Sequence, residues 1–258
     1  ECASSPSSGR LATALADDLQ AGLGADDLLI LAGDTHNRAN GVKWVKRHFA
    51  HLDTLMIDGN HEFYGARFPR QTRLNQLRAK GTKIRYLENQ AFQKGGYHFF
   101  GATLWTDYAG WNPVFVDRAT SNMNDYRHIG AAGWHAKPKN KEAMVDFAKK
   151  KFEFASIRAK KGSFNPRVGF ELHQESLRWL GALLEDGWQG ETVVVTHHAP
   201  TLESLRRFGV TDWELTEKAS RSGGESDRSR SVYRAAYASD LDAFLTRHAR
   251  RIAMWCHG

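Results

Sequence analysis

Along the chain, short runs of apolar residues alternate with stretches in which apolar residues recur every three or four positions. Six runs read as strands: DLLILAG (27–33), TLMID (54–58), KIRYLE (83–88), YHFFGATLW (97–105), ETVVVT (191–196) and RIAMWC (251–256). Most are apolar almost without interruption, the mark of strands covered on both faces. Helical spacing follows the first run in GVKWVKRHFAHL (41–52). It precedes the third in RQTRLNQLRAKG (70–81), the fifth in HQESLRWLGALLEDG (173–187) and the last in SDLDAFLTRHARR (239–251). Alternation of strand and helix predicts an α/β layered fold, with two mixed sheets packed as a sandwich and flanked by helices. Between 106 and 166 the period is lost apart from one basic helical stretch, so 107–170 reads as an irregular, basic helical insert within a single domain spanning 1–258. SRSGGESDRSRS (220–231) reads as a loop.

The residues that end the strands carry the chemistry. The first run stops at Asp34, the second at Asn60, His61 and Glu62, the fifth at His197 and His198, and the last at His257. In open α/β sheets ligands bind beyond the carboxyl ends of the strands, so these tips are expected to converge at one rim. Carboxylate, neutral imidazole and amide oxygen together form a ligand set for divalent Mn, Fe, Zn or Mg. Such a set suits a di-metal hydrolase, in which a carboxylate bridges the ions and their shared water is activated. Each residue has a plainer alternative: Asp34 as a turn or helix cap, Asn60 as a turn residue after Gly59, His61 as a surface histidine, His197 or His198 as a satisfied histidine at a strand end.

Composition narrows the setting. At 258 residues and 41% hydrophobic content the chain is long enough for one large core. Cys2 and Cys256 are the only cysteines and stand at opposite ends, which supports neither a disulfide framework nor a structural zinc site and points to a reducing compartment. No signal-peptide pattern and no run of membrane-spanning length occurs, so a cytoplasmic protein with no membrane contact is expected. The net charge of +7 favours anionic partners. Much of the excess lies in KPKNKEAMVDFAKKKFEFASIRAKK (137–161), which reads first as a solvated basic helix; a nucleic-acid partner has no motif behind it. HEFYG (61–65) lacks the second histidine of a zinc-protease HExxH, and neither a GxSxG elbow nor a P-loop is present.

LILAGD (29–34), DGNHE (58–62) and VVVTHHAP (193–200) resemble, in order and spacing, the central blocks of the calcineurin-like metallophosphoesterases. GATLWTDY (101–108), MNDYRHI (123–129), AAYASDL (235–241) and WCHG (255–258) resemble a bacterial branch of that superfamily. The resemblance implies the αββα calcineurin-like phosphoesterase fold, and a phosphatase or phosphodiesterase acting on phosphorylated small molecules or nucleotides through a metal-bridged hydroxide between two divalent ions. By the same resemblance Asp34 would bridge the metals, Asn60 and His197 would be further ligands, and His198 is the neighbour that competes with His197. His61 would be catalytic, acting on phosphate and not on metal. Glu62 would hold an imidazole or the loop behind the ligands, and Tyr64, Asp107, Asn124, Tyr126 and Arg127 would line the substrate pocket; Asp125 and Arg127 could equally form an ion pair.

The family pattern also includes an opening DxH block and a closing GHxH block, which the sequence does not contain. Truncation of a catalytic domain at both ends is therefore expected, with weak metal binding by the ligands that remain. The alternative is a metal-poor member of the fold acting as a non-catalytic binding module. Asn37 stands where many relatives place an aspartate that orients the catalytic histidine, and His36 is either a substitute ligand or a loop histidine.

Overall fold

The computed structural model describes residues 6–131, 163–186, 190–208 and 235–258. The basic stretch 137–161 and the loop 220–231 lie outside the described residues. Strands β1 (Leu28–Leu31), β2 (Asp53–Ile57) and β3 (Ile84–Leu87) form one sheet in the order β1-β2-β3. Strands β4 (Gln90–Lys94), β5 (Tyr97–Ala102), β6 (Glu191–Thr196) and β7 (Ile252–His257) form the other, in the order β4-β5-β6-β7. The first sheet is parallel throughout, and only the second is mixed, because β4 runs antiparallel to β5.

All six apolar runs are strands, and their near-continuous hydrophobicity has a direct cause. In β2, Leu55 and Ile57 face the second sheet and pack with its Phe99, Val193 and Val195, together with Leu87 of the neighbouring β3. Met56, on the opposite side of the pleat, packs with Leu29, Val42, Val45, Phe49 and Ile84. Helices α1 (Pro6–Gly22), α2 (Asn40–His48) and α3 (Arg70–Ala79) supply that outer layer. On the far side, Leu180 and Leu184 of α6 (Pro166–Glu185) and Phe244 of α7 (Asp242–His248) pack against Phe100, Val194 and Trp255. The architecture is thus helix, sheet, sheet, helix. No helix among the described residues is long and apolar enough to cross a membrane.

Four elements depart from the apolar pattern. Strand β4 is polar and half-exposed, and it is set by the Gly95–Gly96 turn, both residues at positive φ, that pairs Lys94 with Tyr97. Helix α1 was not expected from spacing. Helix α4 (Pro113–Asn122) lies in the region read as irregular; the Asn112 side chain caps it by accepting from the Val114 N–H at 3.0 Å, with Pro113 in the first turn. Helix α6 begins seven residues before its apolar spacing does, at another Asn-Pro pair, with Asn165 accepting from the Val168 N–H.

The sheets are joined tightly near their carboxyl ends. A Cβ on Gly101 would lie 2.7 Å from the Leu87 Cβ and 2.9 Å from a methyl of Ile57. Just beyond, Glu88 after β3 accepts hydrogen bonds from the Thr103 N–H (3.0 Å) and hydroxyl (2.8 Å) after β5. Burial first, then the negative charge of Asp58, pushes the Glu88 pKa up to about 8. Asp58 itself, fully buried after β2, accepts from Thr72 (2.7 Å), Asn75 (2.8 Å) and Tyr86 (2.5 Å), which ties α3 and β3 to the end of β2.

Two outcomes follow from this packing. Gly101→Val should destabilise the chain by ~1–3 kcal/mol through overpacking, read as a lower urea midpoint; an unchanged midpoint would contradict the close approach of the sheets. Glu88 is protonated in the fold up to about pH 8, whereas in the unfolded chain it ionises near ~4.3. Its stabilising effect is therefore fully present below the unfolded value and is lost as pH rises through the folded one. Glu88→Gln should flatten the fall in stability between pH 5 and 8 by up to ~1.4 kcal/mol per pH unit, measured by urea unfolding across that range. Parallel profiles for the two proteins would count against it.

Candidate functional site

The loop after β1 turns sharply through Gly33 (φ +84°) and Asp34 (φ 52°), left-handed conformations that an aspartate tolerates better than most residues. The turn aims the Asp34 carboxylate at the loop after β2, where its Oδ1 accepts the His61 N–H at 2.9 Å. Glu62 fastens the same two loops from below. Its buried carboxylate accepts from the N–H groups of Asp34 (2.9 Å), Gly59 (2.8 Å) and His36 (3.2 Å). Glu62 thus holds the loop backbone behind the acceptors. Burial, followed by the charges of Asp58 and Asp34, raises its pKa to about 8.

His197, just beyond β6, reaches across to these loops. Its Nδ1 lies 3.0 Å from the carbonyl oxygen of Ala32. A carbonyl only accepts, so Nδ1 carries the proton and Nε2 of the neutral ring presents a lone pair. That lone pair faces the Asn60 Oδ1 at 3.0 Å and the Asp34 Oδ1 at 3.5 Å. The Asn60 amide is oriented by its other end, where Nδ2 donates to the Asp125 Oδ1 at 2.8 Å and approaches the Tyr64 hydroxyl at 3.3 Å. Three acceptors therefore point at one another. With the amide in this orientation a cation, a second proton on His197 or a metal ion, reconciles them, and carboxylate, amide oxygen and imidazole are donors that fit a divalent ion. Among the described residues no group of three or more His, Cys, Asp or Glu is arranged to hold a metal; this set has one carboxylate, one imidazole and an amide.

The approach depends on missing side chains. A Cβ on Gly59 would stand 2.3 Å from the Asp34 Oδ1, and one on Gly33 would stand 2.7 Å from the His197 Nδ1. A Cβ on Gly258, after β7, would meet the same nitrogen at 2.7 Å.

Above the acceptors opens a cleft of about 510 Å³, which Asp34, Asn60, His61 and His197 all line. His61 stacks on Tyr64 with ring centroids 4.4 Å apart, and its Nε2 lies 3.9 Å from the Asp34 Oδ2. His198 also borders the cleft but is itself buried, with Nδ1 3.2 Å from the Thr103 carbonyl; burial lowers its pKa to about 3 and keeps the ring neutral. Tyr64 and Asn124 line the walls.

Asp107, Tyr126 and Arg127 do not line the cleft. Asp107 accepts from the N–H groups of Ala109 and Asp240, joining two loops. The Tyr126 hydroxyl pairs with that of Tyr108 at 2.7 Å in an aromatic cluster. Arg127 is exposed and donates to the Ser121 carbonyl. For Tyr126 and Arg127 the reason is local: they follow Asp125 on the single helical turn α5 (Asp125–His128), where successive side chains point about 100° apart. The inward position belongs to Asp125, which bonds Asn60 and Tyr64 in place of Arg127. His36 likewise lies away from the cleft lining, whereas His257, Leu205 and Tyr237 contribute to it.

A family model described as calcineurin-like phosphoesterase matches residues 9–245. Among solved structures, the crystal structure of phosphopantetheinyl hydrolase (PptH) from Mycobacterium tuberculosis aligns with a TM-score of 0.50 at 14% identity, covering 94% of this chain and 76% of that one. At that identity the likeness is one of fold. No curated protein matches the chain significantly. With nearly its whole length matched, the chain belongs to the calcineurin-like phosphoesterase family.

Proposed function

We propose that the chain is a metal-dependent phosphoesterase that hydrolyses a phosphomonoester or phosphodiester, of a small molecule or nucleotide, in the cleft bordered by Asp34, Asn60, His61 and His197. One observation carries this reading: the Asn60 amide oxygen and the Asp34 carboxylate lie 3.0 and 3.5 Å from the His197 Nε2, a grouping of amide, carboxylate and imidazole that suits a divalent ion. Family membership supports the reaction class. Asp34, Asn60 and His197 would hold a divalent Mn, Fe, Zn or Mg ion, which when bound supplies Lewis-acid charge against the phosphoryl oxygens. Asp34 turns one oxygen toward His197 and the other toward His61, an attitude that suits a carboxylate shared between two ions. Among the described residues, the remaining donors stand on the Asn60 and His197 side.

His61 has a separate task. Its backbone N–H holds Asp34 in place, and its ring, fixed by the stack on Tyr64, is half-exposed to the cleft. From there the imidazole can donate to a phosphoryl oxygen or give a proton to the leaving oxygen. The binding-module reading keeps one observation on its side, the lack of a fuller His and carboxylate cluster among the described residues.

The test pairs hydrolysis with metal content. After removal of metal by chelation, Mn²⁺ should restore slow hydrolysis of p-nitrophenyl mono- or diesters. Asp34→Ala should lose both bound Mn²⁺ and turnover. His61→Ala should keep the metal and lose ~10²–10⁴-fold in turnover. Equal metal loss in both variants would overturn the division of roles. Mn²⁺ binding with hydrolysis no faster than buffer would favour the binding module.

A further inference from the structure

We infer that Asp125 is the positioning residue of this site: it decides which end of the Asn60 amide faces His197, and through Tyr64 it also sets the plane of His61. The metal part of this inference rests on the proposed phosphoesterase reading. The geometric part does not.

An asparagine amide can turn through 180° and exchange its oxygen for its nitrogen. With Oδ1 toward His197, the site offers three acceptors to a cation. Turned over, the NH₂ would donate to the His197 Nε2, occupy its lone pair and place N–H hydrogens where a cation must sit. Nothing in His197 itself prevents this, since the turned amide would satisfy Nε2 well. The opposite end decides. There the Asp125 Oδ1 lies 2.8 Å from the Asn60 Nδ2, and turning the amide would set its oxygen against a carboxylate oxygen. A hydrogen bond is exchanged for a contact between two acceptor oxygens, which holds the amide oxygen toward His197.

The same Asp125 oxygen accepts the Tyr64 hydroxyl at 2.7 Å, and the Tyr64 ring carries His61 in a near-parallel stack, 22° between planes. One carboxylate oxygen thus governs an acceptor of the cation site and the orientation of the imidazole above it. The carboxylate is held firmly for this task. Helix α5 is laced to the segment after Tyr64 by backbone bonds from Gly65 N–H to His128 O (2.9 Å), Phe68 N–H to Gly130 O (2.8 Å) and Gly130 N–H to Ala66 O (2.9 Å). Asp125 is only 2% exposed, and its Oδ2 is buried with no hydrogen-bond partner among the described residues. A buried carboxylate left half-satisfied is a poor device for stability, and its geometry is better accounted for by the groups it aims.

Asp125→Asn tests this at nearly constant shape, because an asparagine can turn its own NH₂ toward Asn60 and remove the bias. In the metal-free wild-type chain, ¹⁵N–¹H NMR should show one Asn60 side-chain proton shifted downfield and slow to exchange; in Asp125→Asn that signature should vanish. Mn²⁺ affinity, by titration calorimetry, should fall ~10–100-fold with little change in melting temperature. Tyr64→Phe leaves the Asn60 to Asp125 bond in place, so it should keep Mn²⁺ affinity and lower turnover, with kcat affected more than KM. A wild-type Asn60 signal without the shifted proton overturns the inference without recourse to any variant, as does an Asp125→Asn chain with unchanged Asn60 signals. A wild-type chain that binds no Mn²⁺ but shows the shifted proton would refute the metal reading and leave the positioning role standing.

Discussion

The site depends on how closely backbone can approach the imidazole of His197. Gly33, Gly59 and Gly258 surround that ring and the Asp34 carboxylate, and a Cβ on any of them would stand 2.3–2.8 Å from a neighbouring atom. Contacts that short are repulsive, so the ends of β1, β2, β6 and β7 can meet only where these positions carry no side chain. Their meeting sets the Asp34, Asn60 and His197 acceptors against one another. The layered fold delivers the strand ends to one rim, and the glycines allow them to close the last ångströms.

Beneath this rim lies a second constraint, a set of buried carboxyl groups. Asp58, Glu62, Glu88 and Asp125 all have pKa values raised chiefly by burial. Each is held by neutral donors: Glu62 by three backbone N–H groups, Glu88 by Thr103, Asp58 by α3 and Tyr86, Asp125 by Asn60 and Tyr64. Among the described residues no lysine or arginine is one of these partners. Of the carboxyl groups at this rim, Asp125 and the partly exposed Asp34 are the ones that border the cleft.

Much of this was legible in the chain because burial on both faces leaves a plain mark. The six strands stood out as apolar runs, and the first polar residues after them, Asp34, Asn60 and His197, are the ones the fold brings together. What escaped was governed by other physics. Strand β4 is fixed by a glycine turn and pairing to β5 and carries no apolar pattern of its own. Helices α4 and α6 start at Asn-Pro caps, a signal apolar spacing does not register. Asp125 bonds to Asn60, 65 residues away, and only the docking of α5 on the segment after Tyr64 makes that contact; within MNDYRHI nothing distinguishes it from Arg127.

The central claim is that Asp34, Asn60 and His197 form a cation site. Its most direct measurement is anomalous diffraction from crystals of this chain soaked in Mn²⁺. The account predicts an anomalous peak within ligand distance of the Asp34 Oδ1, the Asn60 Oδ1 and the His197 Nε2. Well-ordered crystals with no peak there, or with Mn²⁺ bound elsewhere while the Asn60 amide donates to the His197 Nε2, would contradict it.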